Sequence, residues 1–155
     1  MLKWSYLKRT ALKRKTPLKR GTKRLKKART DSVGKLKKTL WQLCRAIIIQ
    51  RYGDTCYCCG ALGLSGSNLH LGHFIPSSVC SAELRYDLDN LRPSCYRCNI
   101  HLSGNWIGYE RHLRADGIDV EELKRRNEQT KGMMADRLFY ENKITEYTEL
   151  LTTLQ

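Results

Sequence analysis

Two Cys-x-x-Cys pairs constrain the fold of this chain more than any other feature of its sequence. The four cysteines are Cys56, Cys59, Cys95 and Cys98. Four thiolates paired in this way can enclose one tetrahedral zinc ion, with each pair in a tight turn. Gly60 suits the first turn, and Cys58 is left without a place in a four-ligand site. The 35 residues between the pairs exceed the ~15–20 of a plain zinc ribbon, so we expect further structure between them.

Cysteine usage also bears on the compartment. An odd count of seven and the paired spacing favour metal-bound thiolates in a reducing compartment over a secreted disulfide scaffold. Lys3, Lys8 and Arg9 interrupt every apolar run near the N-terminus, so no signal peptide is predicted. No stretch approaches the ~18 apolar residues of a membrane span. We expect a cytoplasmic location without membrane contact, and we expect Cys44 and Cys80 to be buried free thiols.

The excess positive charge lies almost entirely near the N-terminus. The chain has 29 Lys and Arg against 15 Asp and Glu, a formal net charge of +14. Residues 1–38 hold 16 of the basic residues and one acid, whereas residues 39–155 hold 13 basic and 14 acidic residues. A polyanion is the natural target of such a segment, because neutralising phosphates releases counterions. The charge distribution therefore predicts a nucleic-acid partner.

Residues 1–32 are predicted to form a flexible, disordered DNA-binding arm. A short basic unit recurs there at spacings that fit neither a helix nor a strand, and Pro17 and Gly21 interrupt any helix. A merely solubilising run of charge is the alternative. The candidate DNA contacts in the arm are Lys13, Arg14, Lys15, Lys19, Arg20, Lys23, Arg24, Lys26 and Lys27.

Residues 33–155 are predicted to form one α+β domain that is mostly helical. Asp31 or Ser32 can cap a helix over 33–52, which has an apolar face and ends at Gly53. A strand over 67–74, a loop of about 13 residues and a returning strand at 90–92 that Pro93 stops are expected to follow. Further helices are predicted over 95–103, broken by Gly104, and over 105–115, from Asp119 onwards and over 133–152.

Histidine and asparagine side chains between and beside the cysteine pairs suggest hydrolytic chemistry. Hydrolysis of a phosphodiester needs a base for water, a cation for the developing charge and a scaffold that orients both. His73 can be the base, Asn90 can hydrogen-bond the backbone across the loop, and the Asn99 carbonyl oxygen can bind a hard cation. The alternative is a four-cysteine zinc site with incidental histidines. The order His–Asn–Asn between two cysteine pairs is the pattern of the HNH, or ββα-metal, nucleases.

A longer string of residues carries a closer resemblance. Gly72-His-Phe, Ala82-Glu-Leu-Arg-Tyr, Asn90 and Cys95-x-x-Cys-Asn-x-His-x-Ser-Gly-Asn105 resemble the phage NinG (Rap) recombination endonuclease family over roughly residues 38–150. The resemblance implies an endonuclease that cuts branched recombination intermediates such as Holliday junctions and D-loops. It also implies catalytic Mg²⁺ or Mn²⁺ beside the structural zinc, and a host bacterial cytoplasm as the place of action.

One departure from the HNH pattern concerns the catalytic cation. Many HNH nucleases carry an Asp or His ligand directly before the catalytic histidine, where this chain has Gly72. The candidate ligands are then Asn99, His70, which a bulge at Gly72 could bring near, and His101. An imidazole ligand would favour Mn²⁺ over Mg²⁺. The candidate phosphate contacts outside the arm are Arg85, Arg92 and Arg97.

Two other functions agree with part of the sequence. A non-catalytic, zinc-stabilised DNA-binding protein shares the arm and the zinc, and only His73, Asn90 and Asn99 separate it from a nuclease. An RNA-binding factor also suits the basic arm but gives the histidines no role. The apolar C-terminal helix could form a homodimer interface, because junction cleavage requires two strand cuts.

Overall fold

The computed structural model describes residues 31–154. The basic residues expected to bind DNA at 13–27 lie outside this range. In order, the elements are α1 Val33–Tyr52, β1 Leu69–His73, α2 Ala82–Arg85, β2 Leu91–Cys95, a π-helical turn Arg97–His101, α3 Trp106–Ala115, α4 Val120–Thr130 and α5 Arg137–Thr153. None of the helices in this part of the chain has the length and apolar character needed to cross a bilayer. The domain is thus α+β and mostly helical, as the sequence predicts.

Helix α1 has the predicted bounds. The Ser32 side chain caps it by accepting a hydrogen bond from the Lys35 amide at 3.3 Å, and Gly53 ends it at φ 68°. Its buried face includes Leu40 and Ile47, which pack with residues of α5 and of the strands. This helix therefore supports one face of the hairpin.

The strands β1 and β2 form an antiparallel hairpin in regular register. Leu71 lies opposite Pro93 and Gly72 opposite Arg92, so the bulge expected at Gly72 is absent. The prediction that Pro93 ends the strand is also wrong. The Pro93 carbonyl accepts a hydrogen bond from the Tyr57 amide at 2.9 Å, so this edge of Pro93 faces away from β1 and its missing N–H breaks no strand pairing.

Two predictions about the connecting segments need correction. The expected loop between the strands contains a short helix, α2, which the side chain of Ser81 caps at the Leu84 amide. The helix expected over 95–103 is a single π-helical turn instead. The hydrogen bond that closes this turn runs from the Leu102 amide to the Arg97 carbonyl at 3.0 Å. The next residue, Ser103, has a left-handed backbone conformation. The turn is therefore bounded by the second cysteine pair before it and by the left-handed Ser103 after it, so it does not extend into a longer helix.

The C-terminal helices enclose the hairpin from two sides. Asp119 caps α4 by accepting from the Glu122 amide at 3.0 Å, as predicted, whereas α5 begins at Arg137, four residues later than expected. One buried cluster joins the cysteine turns to α3 and α4, and a second joins α1, α5 and the inner strand residues. The hairpin lies between these two clusters, which fixes the position of its end.

Arg92 is not available for the phosphate contact that the sequence suggested. It is 1% exposed, and its Nη1 donates to the carbonyls of Leu88 and Leu91 at 2.8 and 2.7 Å. Its guanidinium lies over the rings of Tyr52 and Tyr57, 4.5 and 5.1 Å from their centroids. Arg92 is therefore part of the core. Arg85 and Arg97 are exposed.

Replacing Arg92 should destabilise the fold, whereas replacing the exposed Arg97 should not. We expect Arg92→Ala to lower the free energy of unfolding by about 3 kcal/mol, because buried carbonyls lose a charged donor. Arg97→Ala should change it by less than ~0.5 kcal/mol. Urea unfolding of both zinc-loaded variants measures the difference, and equal effects would contradict the core role of Arg92.

Candidate active site and metal centre

The four predicted cysteines come together in one cluster. The Sγ atoms of Cys56, Cys59, Cys95 and Cys98 all lie within 4.8 Å of one another. A tetrahedral zinc with ~2.3 Å bonds would separate its sulfur ligands by about 3.8 Å, and the Cys59 and Cys95 sulfurs are 3.9 Å apart. The cluster therefore fits a structural zinc ion. Among the described residues it is the one cluster of three or more Cys, His, Asp or Glu side chains with metal-binding spacing.

Hydrogen bonds to sulfur fix the cluster to its surroundings. The Cys95 amide donates to Cys56 Sγ at 3.3 Å, and the Cys98 amide donates to Cys95 Sγ at 3.4 Å. Asn105 Nδ2 lies 3.6 Å from Cys98 Sγ. Cys58, excluded from the ligands as predicted, directs its thiol to the Gly104 carbonyl at 3.7 Å. The cluster thus joins the first cysteine turn, the end of β2 and the turn before α3.

His73 ends β1 and is held by two neighbours. Its Nε2 lies 3.1 Å from the Arg85 carbonyl oxygen, which can only accept, so Nε2 carries the proton and Nδ1 has a free lone pair. The Trp41 indole stacks on the imidazole at a centroid distance of 5.3 Å and an angle of 9°. Burial lowers the pKa of His73 below its ordinary value of 6.5; the bond to the Arg85 carbonyl opposes this effect and the Arg85 charge adds to it. The ring is therefore neutral at pH 7.

Asn90 connects the loop after β1 to α2. Its side chain is fully buried; Oδ1 accepts from the Ile75 amide at 2.7 Å, and Nδ2 donates to the Leu84 carbonyl at 2.9 Å. The next residue along α2 is Arg85, whose carbonyl holds His73. Asn90 therefore acts on the site by positioning the backbone and does not itself face a substrate.

The side chains of Asn99 and His70 are joined by a hydrogen bond. His70 Nε2 donates to the Ser67 carbonyl at 2.9 Å, so its Nδ1 is unprotonated and accepts from Asn99 Nδ2 at 3.2 Å. A β-carbon at Gly72 would lie 3.3 Å from Asn99 Oδ1 and 3.0 Å from the β-carbon of Ser94. The close packing at Gly72 thus excludes a ligand side chain there, and His70 reaches Asn99 from the same face of the strand without a bulge.

His73 and Asn99 face the same cleft. It has a volume of about 370 Å³, and its walls also include Trp41, Ser77 and Ser103. The Arg85 side chain lines an adjoining cleft of about 210 Å³ that shares His73 and Trp41. None of the described residues lining the larger cleft is a carboxylate.

His101 lies outside the lining of this cleft. It is exposed at the end of the π-helical turn, and its ring packs edge-on against Tyr96 at a centroid distance of 5.2 Å. The structure therefore places His73 and Asn99 on one cleft, and His70, which does not line it, is joined to Asn99 by a hydrogen bond. The His70 ring also packs on Tyr96, at a centroid distance of 5.5 Å. Trp41 was not selected as a site residue from the sequence, because its contact with His73 spans 32 positions and leaves no local pattern.

Comparison with known protein families identifies the chain. A family model described as bacteriophage lambda NinG protein matches residues 3–155. The chain belongs to this family. The match is longer than the 38–150 expected from the motifs and includes the basic N-terminal residues. None of the curated proteins and none of the solved structures with which the chain was compared matched it.

Two neighbouring cysteines of this NinG-family chain provide a matched test of the zinc ligands. We expect Cys59→Ser to lose most of its zinc, because hydroxyl oxygen is a poor substitute for a thiolate. Cys58→Ser should keep one zinc per chain, because its thiol faces a carbonyl instead. Metal content per purified chain, measured by mass spectrometry, separates the two. Zinc lost from Cys58→Ser and kept by Cys59→Ser would reverse the assignment.

Proposed function

We propose that the protein is a metal-dependent DNA endonuclease that hydrolyses phosphodiester bonds in branched recombination intermediates such as Holliday junctions and D-loops. The observation that carries this proposal is the neutral His73 ring, whose Nδ1 has a free lone pair, on the same cleft as Asn99. Membership of the NinG family agrees with it. We propose branched DNA as the substrate because of the motif resemblance described above. We also propose that the site works as in the HNH nucleases.

The position of His73 suits a general base. A base acting near neutral pH must be unprotonated and directed at its water. The Arg85 carbonyl fixes the tautomer and the stacked Trp41 fixes the ring plane, so rotation about the side-chain bonds is restricted. Asn90 holds the backbone segment that supplies this carbonyl. We assign Asn90 a positioning role and His73 the catalytic one.

Asn99 and His70 are the residues that would hold a divalent cation. The Asn99 amide oxygen suits Mg²⁺ or Mn²⁺. His70 has one ring nitrogen anchored to a backbone carbonyl, as metal-binding histidines do, and its unprotonated Nδ1 accepts from Asn99 Nδ2, a bond that a cation at this place would replace. The imidazole favours Mn²⁺, and His101 is a weaker candidate because, among the hydrogen bonds of the described residues, it is His70 that is joined to Asn99. A bound cation would supply positive charge next to the leaving oxygen.

The proposed reaction is a single displacement at phosphorus. His73 Nδ1 takes a proton from a water molecule as the water oxygen bonds to phosphorus. The bond between phosphorus and the 3′ oxygen breaks, and that oxygen then takes a proton from solvent. Arg85, exposed beside His73, and Arg97, exposed on the π-helical turn, are suited to bind flanking phosphates. The N-terminal basic residues would add affinity that falls with salt.

Replacing His73 should abolish cleavage without abolishing binding. We expect His73→Ala to slow cleavage of a four-way junction by about 10²–10⁴-fold in Mn²⁺ or Mg²⁺, because the base is lost. Junction affinity measured without added divalent cation should change by less than about two-fold, because the arm supplies most of the charge. Labelled junctions followed on denaturing gels give the rate.

The matched control is Cys80→Ser, a substitution of a half-buried thiol that lies outside the zinc cluster. It should cleave at the wild-type rate. Wild-type cleavage by His73→Ala would disprove the assignment of the base. Zinc-loaded wild-type protein that binds junctions but cuts no DNA with any divalent cation would instead support the non-catalytic DNA-binding alternative.

The cleavage rate should fall on acidification as His73 gains a proton. Because burial lowers the pKa of His73, the rate should be constant around pH 7 and halve at a pH below 6.5. Single-turnover rates with saturating DNA, measured between about pH 5 and 8, give this profile. A midpoint above 6.5 or a rate independent of pH would contradict a neutral His73 base.

A further inference from the structure

Exposed apolar side chains are concentrated in one segment beside the His73 cleft. Among the described residues, five of the eleven exposed large hydrophobic side chains lie within residues 96–107. They are Tyr96, Ile100, Leu102, Trp106 and Ile107. Trp106 is 59% exposed. A cluster of this kind beside a candidate active site indicates a binding surface.

Trp106 lines a second cleft that shares a wall with the first. This cleft has a volume of about 290 Å³, and its apolar walls include Phe74, Ile75 and Pro76. Pro76, Ser103 and Gly104 line both clefts. A ligand that extends out of the His73 cleft over this shared wall therefore reaches Trp106.

The charged groups at the second cleft are already paired. Lys124 Nζ lies 3.8 Å from Glu110 Oε1 and 3.3 Å from Glu121 Oε1, and Glu110 also binds Arg114. A phosphate would find no unpaired cation among the described residues lining this cleft. Its chemistry suits a flat, uncharged and polarisable group instead.

The zinc cluster holds Trp106 in place. Three consecutive residues before it, Ser103, Gly104 and Asn105, adopt left-handed φ values of 49°, 96° and 43°. Asn105 bonds the sulfur of Cys98, and the Cys58 thiol bonds the Gly104 carbonyl. Helix α3 then passes so close to the first cysteine turn that a β-carbon at Gly108 would lie 2.9 Å from the Cys58 carbonyl oxygen. Trp106 is thus presented from a fixed turn.

We infer that Trp106 stacks against an unpaired base next to the phosphate in the His73 cleft, an inference that rests on the proposed DNA-cleaving function. Base stacking on an aromatic side chain needs an exposed base face. Paired bases in a continuous duplex stack on each other and show only their edges in the grooves. A nucleotide at a branch or gap can turn its face to Trp106, and the apolar walls accept any base.

This contact would make the protein selective for branched DNA. The arm attracts any duplex through its phosphates and has no means of recognising a branch by charge alone. Stacking on Trp106 adds affinity only where a base has left the helix. The two surfaces therefore have separate roles, with charge for affinity and Trp106 for discrimination.

The test compares Trp106→Ala, Trp106→Phe and Ile107→Ala. Ile107 is 70% exposed and lines neither cleft, which makes it the matched control. Binding of a four-way junction with one unpaired nucleotide at the branch point and of a continuous duplex is measured by anisotropy without added divalent cation, so that cleavage plays no part. We expect Trp106→Ala to weaken junction binding about ten-fold with duplex binding unchanged. Trp106→Phe should restore most of the loss, and Ile107→Ala should resemble wild type.

A fluorescent 2-aminopurine placed at the branch point reports stacking directly. Its emission should be quenched by wild-type protein and by His73→Ala, and not by Trp106→Ala. Equal loss of junction and duplex binding in Trp106→Ala, no loss of either, or a change of oligomeric state alone would overturn the inference. If the wild-type protein cuts no DNA with any cation yet shows this quenching, the proposed nuclease function fails and the stacking contact stands.

Discussion

The packing of four thiols into one tetrahedral cluster is the constraint on which the rest of this structure depends. Two five-residue strands make a hairpin that would be marginal alone. Zinc sites of this kind contribute about 10–16 kcal/mol in zinc-finger peptides. Here the cluster ties residues 56–59 to the end of β2, and the π-helical turn that carries Asn99 begins between its last two cysteines. The cluster therefore positions one wall of the cleft.

The other wall depends on packing and hydrogen bonding instead of metal. Trp41 reaches His73 from α1, the helix that shares a buried cluster with α5, and Asn90 joins the loop to α2. Both supports position the His73 ring, and burial lowers the pKa of His73, to which the neighbouring Arg85 charge adds. The same features that make His73 suitable as a base would make an isolated charged imidazole costly at this place. Structure and electrostatics thus favour one protonation state.

The sequence predicts the features that arise from local patterns and misses those that arise from distant contacts. The bounds of α1 follow from its cap, its apolar period and Gly53, and the metal cluster follows from cysteine spacing. Strand β2 continues through Pro93 because the edge of Pro93 that lacks an N–H faces away from β1. Arg92 is buried because its guanidinium packs on two tyrosines from earlier segments of the chain. Neither the continuation of β2 nor the burial of Arg92 can be predicted from residues adjacent in sequence. The chemistry of the candidate site stays a prediction, and the contacts that support it, above all that of Trp41 with His73, could be seen only in the fold.

The presence of glycine at position 72 has a structural explanation that also bears on the proposed cation site. His70 and position 72 lie on the face of β1 next to Asn99, and His73, at the end of the strand, contacts Trp41 and lines the cleft that Asn99 also lines. Because Ser94 and Asn99 fill the space beside Gly72, a carboxylate there would displace the residue proposed to bind the cation. With no carboxylate among the described residues of the cleft, the DNA phosphate must provide most of the negative charge around that ion. In the proposed mechanism, cation binding and DNA binding are therefore coupled, and each strengthens the other.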